Sequence, residues 1–435
     1  MNNYTFGEHI YELRKERGLT QGDIAAYLGI SDKAISKWEN GTAKPTISNL
    51  SKLAELMDLP LEKIINYNKK DKISKVTKVV ITGGPSSGKT ECIYKVKEHF
   101  EKLGYKVIVI PSIGTALIQC GIYPWDAVDE DEFERMNLGA KIKLEEIADE
   151  AVSNINANKI LILCERGTID VKAYTSNRNF QQICKEYNTS EEELKNSYDA
   201  VFHLKTVAKG YKEQYKQVSV YRREDPDTAI YLDDKTIEAW SGHSNYRIID
   251  AYPYFEDKMN KLIKEISFLL HEENNNYIEK KYLIKMPDLE QLLKNKHCRK
   301  VHVKQHYLID ETKKEKEKIV LRRENNKNFY YKVNKKDNVK YSNSITADQY
   351  INKLEDENKN FYNIYKDRYY YIYDSRCFKI DIFPFWDDKA ILEIDILSER
   401  EQIKFPKFVE ILEEVTEIEK YKNYYLAEEY NDKKW

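Results

Sequence analysis

Lys78-Val-Val-Ile-Thr-Gly83-Gly-Pro-Ser-Ser-Gly88-Lys-Thr90 is the stretch on which the rest of the chain depends. Lys78–Thr82 is a β-branched apolar run and reads as a buried strand. It leads into Gly83-x-x-x-x-Gly88-Lys89-Thr90 and then into Glu91–Leu103, which has helical periodicity. Strand, glycine loop and helix in that order make the context of a phosphate-binding P-loop. The loop glycines let the backbone curl until successive N–H groups point inward at phosphate oxygens. The positive end of the following helix adds to the same spot. Gly83, Gly84, Ser86, Ser87 and Gly88 are therefore expected to cradle phosphates, with Lys89 on the outer phosphates and the Thr90 hydroxyl on Mg²⁺. An ordinary strand-to-helix turn has no use for the Lys-Thr pair. The motif predicts ATP or GTP bound with Mg²⁺.

At 435 residues the chain predicts two to four domains, each able to bury a core. Lys and Arg number 71 against 73 Asp and Glu, a formal net charge of −2. No global basic field drives nucleic-acid or membrane binding, so any such binding is local. The six cysteines, at 92, 120, 164, 184, 298 and 377, form no Cys-x-x-Cys pair and no disulfide framework. No apolar run approaches 18 residues and no signal peptide is apparent, so a cytoplasmic chain without membrane insertion is expected.

Residues 1–68 read as short helices: Phe6–Arg17 stopped by Gly18, Gln21–Leu28 capped by Thr20 with Asp23 close to a capping box, and a third through Glu39 capped by Ser31. A fourth, Ser48–Met57, precedes a last turn to Ile65. The residues Thr20-Gln21-x-x-x-Ala25-x-x-Leu28-Gly29-Ile30-Ser31-x-x-Ala34-Ile35-Ser36-Lys37-Trp38-Glu39-x-Gly41, with Pro45, resemble the Cro/CI-type (XRE) helix-turn-helix family. That resemblance implies double-stranded DNA as partner and a homodimer on paired half-sites. It further implies Asp32, Lys33 and Lys37 facing base edges and Gln21 and Ser36 on backbone phosphates. A polar, aperiodic stretch, 69–76, reads as a linker.

Residues 77–270 alternate strands with helical segments: further strands are expected at Lys106–Pro111, Asn158–Cys164, Asp199–Leu204 and Tyr246–Asp250, which predicts a three-layer α/β domain. Glu165 and Arg166 follow the third strand, where a Walker-B acid holds the Mg²⁺ shell or orients the acceptor hydroxyl. Arg222 and Arg223 lie in a polar segment suited to a lid that neutralises a transferring phosphoryl group. Thr82–Thr90, Val109-Ile-Pro111, Cys164-Glu-Arg-Gly167, Arg222–Glu224, Ala239-Trp-x-Gly-His243 and Ile249-Asp250 look like one ATPase/kinase family. Its members include the ribosylnicotinamide kinase domain of NadR and an insect GTP- and phosphoinositide-binding protein of TRP-channel trafficking. Ser112 stands where that family leads one to expect an acid, and Glu165 where Asp is usual. His243 is open between ligand contact and packing beside Trp240.

Beyond the break at His271–Asn276, residues 277–430 carry strand-like runs with charges at alternating positions: Ile278–Lys285, Val301–Ile309, Lys318–Glu324, Phe329–Lys335, Arg368–Tyr373, Phe378–Phe383 and Ala390–Leu397. If the sheet closes, its charged side chains line an interior. Lys313–Lys318 reads as a solvated hairpin loop. Glu279-x-Lys281, Gln305-x-Tyr307-Leu308, Lys366-x-Arg368-Tyr369, Asp381-x-Phe383 and Glu393-x-Asp395 resemble the CYTH, or triphosphate tunnel, family. The resemblance implies an α+β antiparallel tunnel in which Lys281, Arg322, Lys366, Arg368 and Lys379 grip polyphosphate. Glu279, Asp381, Glu393 and Asp395 would then hold Mg²⁺ or Mn²⁺. Tyr277, Val320 and Asn334 depart from its pattern and remove a carboxylate and two cationic groups.

The expected function is a P-loop phosphotransferase, kinase-like toward a small molecule or nucleotide. It is fused to a DNA-binding head and a polyphosphate-binding tunnel, so that a phosphorylated metabolite is coupled to transcription. Two alternatives stay open: a nucleotide-sensing regulator without turnover, and a metal-dependent triphosphatase seated in the tunnel.

Overall fold

The computed structural model describes residues 3–57, 59, 61, 64, 75–125, 129–215, 224–272, 277–309, 317–336 and 339–429. The chain divides into two compact units, Met1–Lys75 with Asp149–Lys159, and Val76–Ala148 with Ile160–Trp435.

In the first unit the helices are α1 (Asn3–Glu16), α2 (Gln21–Leu28), α3 (Asp32–Glu39) and α4 (Ile47–Leu56). Thr20 and Asp23 form a reciprocal capping box at α2, and Gly29 ends that helix at φ 69°, a left-handed cap that suits glycine. α4 starts one residue earlier than expected because the Thr46 hydroxyl caps it by accepting from Asn49 N. Ile10, Ile24, Ile35, Trp38 and Leu53 close one core between these helices. Beneath that core's edge Arg14 grips Glu39 through two bonds of 2.6 and 2.9 Å. The turn expected to reach Ile65 and the linker up to residue 74 lie largely outside the described residues, and Lys75 and Val76 already belong to a strand.

The second unit begins with a sheet ordered β2-β3-β1-β4-β5: β1 (Lys75–Thr82), β2 (Lys106–Ile110), β3 (Lys159–Glu165), β4 (Ala200–Leu204) and β5 (Tyr246–Ile249). The pairs β2–β3, β1–β4 and β4–β5 are parallel. The helices are α5 (Lys89–Lys102), α6 (Ile113–Gln119), α7 (Glu130–Val152), α8 (Asn177–Glu186), α9 (Glu191–Asn196), α10 (Pro226–Trp240) and α11 (Phe255–Leu270). Val79, Ile81, Leu161, Leu163 and Phe202 of the strands meet Ile93, Val96 and Phe100 of α5 and Leu262 and Ile266 of α11 in one core. β1 is the central strand of this sheet, and its carboxyl end is where the glycine loop opens.

The same unit continues in a sheet ordered β10-β9-β8-β7-β11-β12-β13-β6-β14, antiparallel in every recorded pair. Its strands are β6 (Ile278–Lys285), β7 (Cys298–Tyr307), β8 (Lys318–Glu324), β9 (Lys327–Lys336), β10 (Val339–Ile345), β11 (Ile364–Tyr373), β12 (Arg376–Ile382), β13 (Lys389–Ile396) and β14 (Ile411–Glu414). Short helices α12 (Leu289–Lys294), α13 (Ala347–Lys353) and α14 (Asn423–Glu429) cover it. Tyr307 of β7 feels the charge of Lys281 of β6, although a flat sheet would hold strands four positions apart at about 19 Å. The sheet therefore curls into a trough. β10 and β14 were not expected: Lys340-Tyr-Ser-Asn-Ser344 lacks apolar alternation, and β14 spans only four residues. Of the Lys313–Lys318 run, residues 313–316 lie outside the described residues, and Lys318, expected in a loop, is the first residue of β8.

Candidate functional site

The glycine loop closes over the end of β1 as the sequence requires. Gly83 sits at φ +141°, and a Cβ there would stand 2.0 Å from Leu204 O, so no other residue fits. Lys89 is buried, and its Nζ donates to Gly83 O at 2.9 Å, Gly84 O at 2.8 Å and Ser87 Oγ at 3.0 Å. The Thr90 hydroxyl donates to Glu165 Oε1 at 2.5 Å. This brings the last residue of the motif against the acid at the end of β3. A hydroxyl and a carboxylate converging beside a phosphate cradle are a donor set that fits Mg²⁺.

Behind the loop stands a support that motif reading missed. Asp233 of α10 is fully buried and accepts from Gly84 N at 2.7 Å, Thr206 N at 3.1 Å, His203 Nε2 at 3.0 Å and Lys209 Nζ at 2.8 Å. Burial opposes its ionisation, but His203 and Lys209 outweigh that and hold its carboxyl well below the usual range. Its signal was present in the sequence: Ala229, Asp233, Thr236, Ile237 and Trp240 form the buried stripe of α10, with one carboxylate in it.

In front of the loop lies an open cleft of about 2240 Å³, lined among others by Lys89, Thr90, Ser112, Glu134, Glu165 and Arg166. Arg166 turns out of β3 with φ 58°, a conformation that costs a non-glycine residue energy and marks functional turns. Its guanidinium lies 3.3 Å from Asp170 and 5.3 Å over the Tyr174 ring. Asp170 in turn accepts from Gly167 N, Trp240 Nε1 and the Thr82 hydroxyl. Ser112, where an acid was expected, caps α6 through Thr115 N. One further carboxyl of the cleft comes from α7: Glu134 is buried, accepts from Asn137 Nδ2 at 2.9 Å, and is pushed up to about 7 by burial. Lys141, two turns along α7, donates to Pro111 O and Glu165 O at the ends of β2 and β3.

Arg222 and Arg223 lie outside the described residues. His243 is buried, bonded to Tyr198 O and Asn245 N, and pulled down to about 3 by burial, so it is a neutral packing residue and not a ligand contact.

The curled sheet brings its charged residues together in its interior and pairs them with one another. Lys366 Nζ donates to Asp381 at 2.5 Å, and Arg368 reaches Asp381 through two bonds of 2.6 Å and Glu393 at 2.6 Å. Lys281 lies 2.8 Å from Glu393 and 3.0 Å from Glu279. Lys379 and Arg247 of β5 share Asp395 at 2.7 and 2.8 Å. Burial opposes the charge on Asp381, yet Arg368 and Lys366 hold its carboxyl below the ordinary value. Lys366 is pulled down to about 8 by burial and by Arg368. Arg322 lies 5.2 Å over the Tyr370 ring and donates to Gly242 O. The four carboxylates expected to hold metal are thus claimed by cations, and among the described residues no group of three His, Cys, Asp or Glu suits an ion. The interior does not fit the metal that the tunnel resemblance implies.

The departures from the tunnel pattern have their own work. Tyr277 donates to Glu265 at 2.6 Å and carries Arg247 over its ring at 4.3 Å. Val320 packs with Val301, Val303 and Tyr370. One end of the trough is filled by Tyr307, Phe383, Leu426 and their neighbours. The other rests on the first sheet through Arg247, Arg322 and the Lys205–Asp250–Ser375 chain.

In the first unit Asp32, Lys33 and Lys37 are exposed on α3 and Ser36 is half-buried. Gln21 spends an amide hydrogen on Glu39 at 2.7 Å, inside the Arg14 network.

Residues 10–64 match the helix-turn-helix family model and residues 78–258 the AAA domain model. The chain thus carries an XRE-type helix-turn-helix head followed by an AAA-type P-loop domain. It is 30% identical over 132 residues to an HTH-type transcriptional regulatory protein of Pyrococcus furiosus, covering 30% of this chain and 36% of that protein. It is 42% identical over 59 residues to the HTH-type transcriptional repressor RghR of Bacillus subtilis, covering 13% of this chain and 44% of the repressor. The chain spans less than half the length of either. A solved inorganic triphosphatase is 26% identical over 35% of this chain and 95% of its own, with a TM-score of 0.25. Among the described residues no helix is long and apolar enough to cross a membrane.

Proposed function

We propose that the protein is a magnesium- and nucleotide-dependent phosphotransferase, kinase-like toward a small molecule or nucleotide, in a chain that also binds double-stranded DNA. The observation that carries this reading is the 2.5 Å approach of the Thr90 hydroxyl to Glu165 beside Lys89, at the floor of an open cleft. Among the partners of Lys89 are two carbonyls and a hydroxyl, neutral acceptors that a phosphate outcompetes for an ammonium. With ATP or GTP in the loop, Lys89 reaches the outer phosphates, Thr90 and Glu165 hold Mg²⁺, and Asp233 keeps Gly84 in place from behind. Bound magnesium would supply charge neutralisation on the β- and γ-oxygens. Arg166, fixed by Asp170, puts a second positive charge on the acceptor side of the cleft.

The helix-turn-helix relatives favour a second reading, in which nucleotide occupancy sets DNA affinity without turnover. One experiment separates the two. Full-length protein is incubated with Mg-ATP or Mg-GTP and a small-metabolite extract, and the products are resolved by anion exchange. A new phosphorylated metabolite that vanishes with Lys89→Ala supports the phosphotransferase. Nucleotide binding without product supports the sensor.

A further inference from the structure

We propose that Glu134 is the base that accepts the proton of the attacking group, and that the phosphate acceptor is therefore an alcohol. This rests on the phosphotransferase reading. The usual place for such a carboxylate, just after β2, holds Ser112, whose hydroxyl is committed to capping α6. Glu134 enters the same cleft from α7 instead. It is 5% exposed and accepts from Asn137, and Arg166 acts on it by charge with no bond to it among the described residues. Every other buried carboxylate described above has a Lys, an Arg or a hydroxyl bonded to it.

The groups that face Glu134 are Glu130 and Asn137 on its own helix, and Arg166, Asp170 and Tyr174 from the segment after β3. Arg166 favours the carboxylate, while burial, Glu130 and Asp170 favour the acid, and the balance leaves the group titrating at about 7. A base is most effective when it titrates near the working pH. An acceptor that is already a carboxylate or a phosphate anion has no proton to give up, and a buried carboxylate would repel it. A hydroxyl group has both the need and the fit.

The acceptor O–H bond breaks and its proton passes to Glu134. The oxygen forms a bond to the γ-phosphorus, the bond from that phosphorus to the bridging oxygen breaks, and nucleoside diphosphate leaves with the electron pair.

The test uses the full chain, radiolabelled γ-phosphate ATP and GTP, and a pool of nucleosides, sugars and polyols. Wild-type transfer should rise with pH through about 7, because the carboxylate is the active form. Glu134→Gln should lower kcat by about 100-fold or more and abolish that pH limb, with nucleotide Kd unchanged within about twofold. Glu134→Asp should retain part of the rate and the limb. Glu134→Gln that keeps the rate and the limb, while wild type transfers phosphate, overturns the inference and leaves the phosphotransferase intact. Wild type that labels no member of the pool overturns the alcohol assignment. If a carboxylate or phosphate from a metabolite extract is labelled instead, the phosphotransferase survives without it.

Discussion

The P-loop cleft and the interior of the curled sheet are built from the same side chains and treat them in opposite ways. In the cleft Lys89 is held by two carbonyls and a hydroxyl, and Glu134 by an amide. In the trough Lys366 is held by Asp381, and Arg368 by Asp381 and Glu393. Phosphate entering the cleft displaces neutral groups. Phosphate entering the trough must first separate buried ion pairs, which leaves carboxylates stranded in a low-dielectric setting. A positively charged inventory therefore does not define a phosphate site; what each cation is already bonded to decides it.

Removing the loop lysine of the cleft should have the largest effect. Lys89→Ala should cut phosphoryl transfer by about 10³-fold, measured by product formation at saturating nucleotide. In the trough the comparable change acts on stability. Asp381→Asn leaves Lys366 buried without its bonded carboxylate and Arg368 with Glu393 alone, and should cost about 3–5 kcal/mol in denaturant unfolding of the second unit. If that variant is as stable as wild type, the trough is not the ion-paired anchor described above.

A subtler contrast comes from pH. The Glu134 carboxyl titrates at about 7 in the fold against an ordinary 4.5, so its contribution to stability is lost as pH rises from 4.5 through 7. Glu134→Gln should therefore gain up to about 3 kcal/mol over wild type at pH 8 and little at pH 4.5, read from denaturation curves at the two pH values. The smallest effect is expected where the trough meets the first sheet. Tyr277→Phe removes the bond to Glu265 and should cost about 1 kcal/mol, with phosphoryl transfer unchanged.

Much of this was legible in the sequence because it is written in local patterns. The Gly-Lys-Thr loop, the capping box at Thr20, and the alternation in Ile278–Lys285 and Lys318–Glu324 each fix an element by near neighbours. The trough's charged positions were legible too, since period two puts them on one face. Whether they bind a ligand or each other was not legible, because the pairing of Arg368 with Glu393 or Arg247 with Asp395 is set by the curl of the sheet. Asp233 and Glu134 escaped for a related reason. Each is one of several acids in its helix with no motif around it, and only the buried stripes reveal them. On α7 that stripe is Glu134, Leu138, Lys141, Glu145 and Ala148, three charges on the face turned inward. A charged residue in step with an apolar stripe is the sequence signal worth following.

The most direct measurement compares Lys89→Ala with Lys281→Ala in the full chain, following transfer from Mg-ATP and Mg-GTP beside hydrolysis of tripolyphosphate with Mg²⁺ or Mn²⁺. Nucleotide-dependent transfer should be lost with Lys89→Ala and survive Lys281→Ala, with no metal-dependent cleavage of tripolyphosphate. Tripolyphosphate cleavage that survives Lys89→Ala and disappears with Lys281→Ala would place the chemistry in the trough and contradict its assignment to the cleft.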